Sequence, residues 1–203
     1  MRIFSTHKIS YSFLFLFFFI ETISAQNMDI DFLKEANVHR NQHLDGTFQF
    51  ISNTEGFIGL GTPIAICAVG LIQHDKNLLN KGITMTVGLV TATTITYGLK
   101  KIINRDRPAQ TYPYIQAFEN KKHYSFPSGH TSNAFVTATN VSLACRKWYV
   151  VAPSFIWASS VGYSRMHLGM HYPSDVAVGA LIGMGSAWLA YKTNKYYKKL
   201  YTK

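Results

Sequence analysis

Past residue 56 the chain is built from five apolar stretches: Phe57–Gln73, Gly82–Leu99, Thr131–Cys145, Tyr149–Tyr163 and Val176–Tyr191. None of them contains a charged residue. At 15 to 18 residues each they sit at or just under the roughly 20 needed to cross a bilayer, so length alone also admits buried core helices. The charges between them decide. If the helices alternate in direction, the loops His74–Lys81 and Arg146–Lys147 and the tail from Lys192 share one side. That side holds nine Lys and Arg, eleven with Arg2 and Lys8, against Asp75. Such an excess marks the cytoplasmic face. Small residues lie where helices would pack, with Gly179 and Gly183 in a G-x-x-x-G pair. The second stretch is rich in threonine, whose hydroxyls can bond back to helix carbonyls. These polar but small residues account for a mean hydropathy of only +0.02.

The N-terminus predicts an export signal. Arg2, His7 and Lys8 precede an apolar run from Phe13 to Ile20, and Ser24-Ala25 supplies small residues at a cleavage edge. An uncleaved anchor over Ile9–Ile23 is the alternative. The expected fold is therefore all-α: a helical membrane bundle of five spanning helices after a signal peptide, six if the N-terminal segment is retained. The expected division is a signal peptide or anchor over 1–25, an exported polar lead-in over 26–56, and a membrane-embedded domain over 57–203. Within the lead-in, Leu33, Ala36 and Val38, then Phe48, Phe50 and Ile51, hint at amphipathic helix, and a solvated or interface-lying segment is expected. Cys67 and Cys145 lie in apolar runs and read as small hydrophobes, too few for a disulfide scaffold or a zinc site.

The net charge of +10 invites a nucleic-acid reading, but topology absorbs eleven of the twenty basic residues. The other nine fall in outward-facing connections, against the positive-inside trend, and three of them, Lys100, Arg107 and Arg165, belong to clusters that suit an anion. Lys100 ends one helix, and Arg107-Pro108 follows six residues on, so two cations can converge on one anion. Pro127-Ser128-Gly129-His130 opens the third stretch. There a helix start offers unpaired N–H groups, Gly129 permits close approach, Ser128 adds a hydroxyl, and His130 can exchange a proton near neutral pH. Ser164-Arg165 leads to His171 and Asp175, four apart at the start of the last helix. Arg165 can grip phosphate bidentately, and a carboxylate on Nδ1–H of His171 would leave Nε2 as a nucleophile.

Together these residues resemble the three-part signature K-x6-RP, PSGH and SR-x5-H-x3-D of the type 2 phosphatidic acid phosphatase family, which shares its site with vanadium haloperoxidases. The resemblance implies two-step hydrolysis of a lipid phosphate without metal or other cofactor. His171 would be the nucleophile, Asp175 its orienting partner and His130 the general acid and base. Lys100, Arg107, Ser128, Gly129 and Arg165 would bind the phosphoryl oxygens. It also implies an integral protein of a bacterial inner membrane, with the site facing the periplasm or exterior. The partners are then a lipid phosphate and the bilayer, not nucleic acid. Transfer to a second lipid, a vanadate-holding haloperoxidase, and a non-catalytic phosphate-lipid binder or transporter are the competing readings. The stretch Ala109–Tyr124, with Tyr112, Tyr114, Lys121 and Lys122, is expected either to cover the site or to form a plain surface loop. His39, His43 and His123 are expected at the surface, and His167 is not expected to bind metal.

Overall fold

The computed structural model describes residues 28–119 and 123–201; the signal-peptide expectation and Lys121 and Lys122 lie outside them. Among the described residues the chain is helical and forms no strand. Helix α1 runs over 28–37, followed by α2 (Asp45–Ile72), α3 (Lys76–Ile103), the short α4 (Pro108–Thr111), α5 (Gly129–Ala144), α6 (Trp148–His167) and α7 (Pro173–Tyr201).

The helix ends follow from local chemistry. Asp75 caps α3, its carboxylate accepting from the N–H groups of Asn77 (2.8 Å) and Leu78 (3.1 Å). Asn104, with φ of +51°, ends the same helix in the left-handed conformation that asparagine tolerates. Ser128 caps α5, and Pro173 sits in the first turn of α7, where its missing N–H costs nothing. Inside α3 the hydroxyls of Thr84, Thr86 and Thr91 each donate to the carbonyl four residues earlier, so the threonines are satisfied within the helix.

Helix α5 is the central element and packs against α2, α3, α6 and α7. Its buried face is made of Thr131, Ser132, Ala134, Val136, Ala138 and Asn140. The G-x-x-x-G pair is the seam to α7: a Cβ on Gly179 would come within 2.6 Å of the Ser128 carbonyl, and one on Gly183 would strike the backbone of Ser132 and Val136. Large apolar side chains point the other way, with Phe57 81%, Ile72 78% and Ile102 76% exposed. Small polar residues inside and bulky apolar residues outside invert the pattern of a water-soluble domain.

Two structural findings bear on the sequence expectations. Among the described residues, two helical segments, Gln42–Ile72 and Lys76–Thr111, are long and apolar enough to cross a membrane by length and composition, at mean hydropathies of 1.7 and 1.2. The shorter α5 is enclosed by other helices and can carry the serines and asparagine that lower its hydropathy. The segment before residue 57 is helical in part and buries some of its side chains. Helix α2 already begins at Asp45, and α1 docks with Ile30 and Leu33 against Ile115 and Tyr172. Ile30, Leu33 and Asn37 fall at i, i+3 and i+7, one helical face, and all three are buried. Asn37 donates to the carbonyls of Gln116 (3.0 Å) and His167 (2.8 Å) and accepts from the Gln116 N–H (2.8 Å).

Candidate active site

The alternation of helix directions brings the starts of α2, α5 and α7 and the ends of α3 and α6 to one end of the bundle. The three motifs meet there and are joined by hydrogen bonds. The Ser128 N–H donates to the Asp175 carbonyl at 3.0 Å, so the second and third motifs are tied through backbone. Lys100 Nζ donates to the carbonyls of Tyr124 (2.8 Å), Ser125 (3.1 Å) and Pro127 (2.8 Å). An ammonium has three donors, so Lys100 is fully engaged in holding the loop ahead of Ser128. Arg107 donates through Nε to the His123 carbonyl and through Nη1 to the Met170 carbonyl, both at 2.7 Å, which leaves other N–H groups of its fork available.

His171 and Asp175 form the buried centre. His171 Nδ1 lies 3.3 Å from Asp175 Oδ2 and 3.4 Å from Ser125 Oγ. Burial pushes the imidazole of His171 down to about 3, against the pull of Asp175 and with the push of Arg107 and Arg165. The ring is therefore neutral at ordinary pH. Asp175, 0% exposed, is itself held on every side: Oδ2 accepts from the Ser125 hydroxyl and the Tyr172 N–H (3.0 Å), and Oδ1 accepts from Arg105 Nη1 (2.8 Å). A carboxylate buried with this many donors is kept ionised and fixed in orientation.

Arg165 sits at the end of α6, where its carbonyl receives the N–H groups of Met170 and His171 as the chain turns through Gly169. Gly169 has φ of +66°, and a Cβ there would come within 2.7 Å of the Gln116 carbonyl, so the turn that delivers His171 requires glycine. The Arg165 guanidinium is buried, and Nη1 donates to Ser52 Oγ at 2.5 Å. Its Nε is buried without a hydrogen-bond partner. Gly129 and His130 form the first turn of α5, both half-buried. Ser128 Oγ accepts from Thr131 Oγ1 at 2.9 Å.

Residues without a role in the motif reading also belong here. Arg105, inside the first motif, spans from Asp175 to Asp29 of α1, donating from Nη2 to Asp29 Oδ2 at 2.7 Å, and its guanidinium lies 3.7 Å from the Tyr172 ring centre. Asp29 also accepts from the Ser174 N–H (2.8 Å) and hydroxyl (2.5 Å). Ser125 stands two residues before the second motif, and Ser52 comes from α2. Proximity of Arg105 and Ser125 to the motifs was the available signal; Asp29 and Ser52 carry none.

Other expectations separate cleanly. His167 is structural: Nε2 lies 2.9 Å from Asp45 Oδ1, and Arg40 grips the same carboxylate bidentately. Among the described residues no three His, Cys, Asp or Glu side chains gather to hold a metal ion. His39, His43 and His123 are exposed. Within Ala109–Tyr124, Ile115 is buried against α1 and Tyr172, so part of this stretch is anchored. Cys67 and Cys145 are free thiols and half-buried.

Known proteins resemble this chain in sequence and in fold. The lipid A 4'-phosphatase of Bacteroides thetaiotaomicron is 34% identical over 88 residues, 43% of this chain and 39% of that protein. The undecaprenyl-diphosphatase BcrC of Bacillus subtilis is 31% identical over 144 residues, 71% of each chain. The crystal structure of a transmembrane PAP2 type phosphatidylglycerolphosphate phosphatase from Bacillus subtilis superposes with a TM-score of 0.72 at 28% identity, over 90% of this chain and 94% of that one. Residues 81–199 match the PAP2 superfamily as a whole, and with all three motifs inside that range the chain belongs to this superfamily.

Proposed function

We propose that this chain is a membrane phosphatase that hydrolyses a lipid phosphate monoester or pyrophosphate through a phosphohistidine formed on His171. The observation that carries the reading is the His171–Asp175 pair at 3.3 Å, buried, with Arg107 and Arg165 close enough to bias the imidazole. Asp175 accepting from Nδ1–H fixes the tautomer and leaves the Nε2 lone pair for attack. In the first step Nε2 bonds to phosphorus while the bond to the leaving oxygen breaks, that of an alcohol for a monoester or of a lipid monophosphate for a pyrophosphate, and His130 protonates that oxygen. In the second step His130 takes a proton from water, whose oxygen attacks phosphorus and breaks the P–N bond. Inorganic phosphate leaves and His171 is restored.

Arg107, Arg165 and the start of α5, with the Ser128 hydroxyl and the Gly129 N–H, receive the phosphoryl oxygens. The unpartnered Nε of Arg165 is a donor suited to that use. Lys100 contributes charge and holds the loop, since its three donors are engaged. Charge development on the phosphoryl group is thereby met by fixed cations and N–H dipoles, so the reaction needs no metal.

The outward-facing large apolar residues and the cation-rich opposite end support five crossings by α2, α3, α5, α6 and α7, with the site at the periplasmic or outer face of the inner membrane. The named relatives act on lipid A, undecaprenyl diphosphate and phosphatidylglycerolphosphate, each of which presents phosphate on a lipid. The test is phosphate release by detergent-solubilised protein from a panel of such lipids. Wild type releases phosphate in excess EDTA and His171→Ala releases none. Release lost to EDTA and restored by magnesium contradicts the metal-free mechanism.

A further inference from the structure

At the end of the bundle away from His171, a cavity of about 280 Å³ opens between α3, α5 and α7. Two of its lining residues, one from α3 and one from α7, are hydrogen-bonded to each other. Asn80 and Asn194 exchange amide hydrogen bonds of 3.3 and 2.8 Å, and Asn194 also donates to Thr84, locking α3 to α7 below the opening. Its rim is cationic: Lys81 from α3 and Lys195 and Lys198 from α7 line it, and no Asp or Glu does. Lys81 Nζ makes a 3.4 Å contact with the Ala144 carbonyl, a long bond that engages one of three donors. Met85 and Leu143 supply an apolar wall beside the lysines.

The surroundings decide what kind of anion fits. Trp148, Tyr149 and Trp188 are 80%, 54% and 54% exposed at this end, and Lys147 and Lys192 lie 5.8 and 5.1 Å from the rings of Tyr149 and Trp188. Exposed Trp and Tyr paired with lysines mark the headgroup level of a bilayer. A basic pocket between helices at that level has the composition expected for an anionic headgroup. Lysines that merely offset the carbonyl ends of α5 and α7 would need neither a cavity nor an amide pair.

We infer that this cavity binds the phosphate of an anionic bilayer phospholipid, held by Lys81, Lys195 and Lys198 above the Asn80–Asn194 pair. The inference rests on the membrane topology proposed above and not on the chemistry at His171. A soluble phosphate would use the same lysines, but it would have no use for Met85 and Leu143.

Native mass spectrometry of the full chain, purified in detergent and offered phosphatidylglycerol or phosphatidylcholine, tests it. Wild type should retain phosphatidylglycerol over phosphatidylcholine by about tenfold, and the triple variant Lys81→Gln, Lys195→Gln, Lys198→Gln should lose that preference. Millimolar inorganic phosphate should not displace the lipid. Equal retention by the triple variant overturns the site, as does equal retention of the two lipids; displacement by inorganic phosphate overturns the lipid assignment in favour of a soluble anion. Phosphate release measured on the same samples should change by less than about twofold in the triple variant. Absence of release from wild type would instead break the proposed function and leave the cavity to be judged on lipid retention alone. Release of the protein from membranes by alkaline carbonate would break the topology on which both ends depend.

Discussion

The two ends of the bundle are both rich in Lys and Arg, yet their cations are in opposite physical states. At the end formed by the turns after α2 and α5, Lys76, Lys81, Arg146 and Lys147 are exposed, and their side-chain contacts are aromatic rings, the Tyr191 hydroxyl and one helix carbonyl. At the other end Arg107 and Arg165 are 8% and 2% exposed, bonded to carbonyls and a serine inside the protein. Burying a guanidinium is costly unless something of opposite charge is met there. In the proposed reading the exposed cations orient the chain, and the buried ones are kept for an arriving anion.

The sharpest way to break this contrast is substitution at the buried end. Arg165→Ala should lower kcat/KM for a lipid phosphate by on the order of 10²–10³-fold, and Arg165→Lys should not restore it, because lysine lacks the forked geometry. A loss under fivefold would mean that the buried arginine is structural. A smaller effect is expected one layer out. Arg105→Ala or Asp29→Asn removes a charged hydrogen bond behind Asp175, at about 1.5–3 kcal/mol, or about 10- to 100-fold. Because these residues act through Asp175, the loss should fall on kcat with little change in KM. A change confined to KM would contradict the positioning role.

Acid stability gives a third test. The His171 imidazole sits at about 3 in the folded chain, against about 6.5 when exposed. Below pH 6.5 the unfolded chain gains a proton that the folded chain refuses until about pH 3. Stability present above 6.5 is therefore lost as the pH falls through that window. Thermal unfolding in detergent between pH 7 and 4 should show a shallower acid loss for His171→Gln, by up to one proton or about 1.4 kcal/mol per pH unit. Parallel curves would show that His171 is not held neutral. The smallest effect belongs to the exposed end: Lys147→Gln or Lys192→Gln should change turnover by less than about twofold. A larger loss would erase the distinction between the ends.

Much of the site was legible because its chemistry is local in sequence. His171 and Asp175 are four apart on one helical approach, Ser128 caps the helix that carries His130, and Lys100 and Arg107 bracket one turn. Arg105 lay in plain view between Lys100 and Arg107, but its partner Asp29 is 76 positions away and the bond from Asp29 to Ser174 spans 145. No periodicity joins such residues. The start of α2 at Asp45 was hidden because polar residues such as Ser52 and Glu55 face inward there, where a sequence pattern assigns them to water. Asn37 was hidden for the same reason: it is a polar residue that caps backbone groups inside the fold.

The central claim is that phosphorus becomes bonded to His171. Rapid acid-free quenching of wild type with a ³²P-labelled lipid phosphate, followed by peptide mapping, tests it directly. The account predicts label on the peptide carrying His171, stable to base, lost in acid, and absent from His171→Gln. Turnover with no labelled peptide under conditions that trap a slowed His130→Ala variant, or label that persists in His171→Gln, would contradict it.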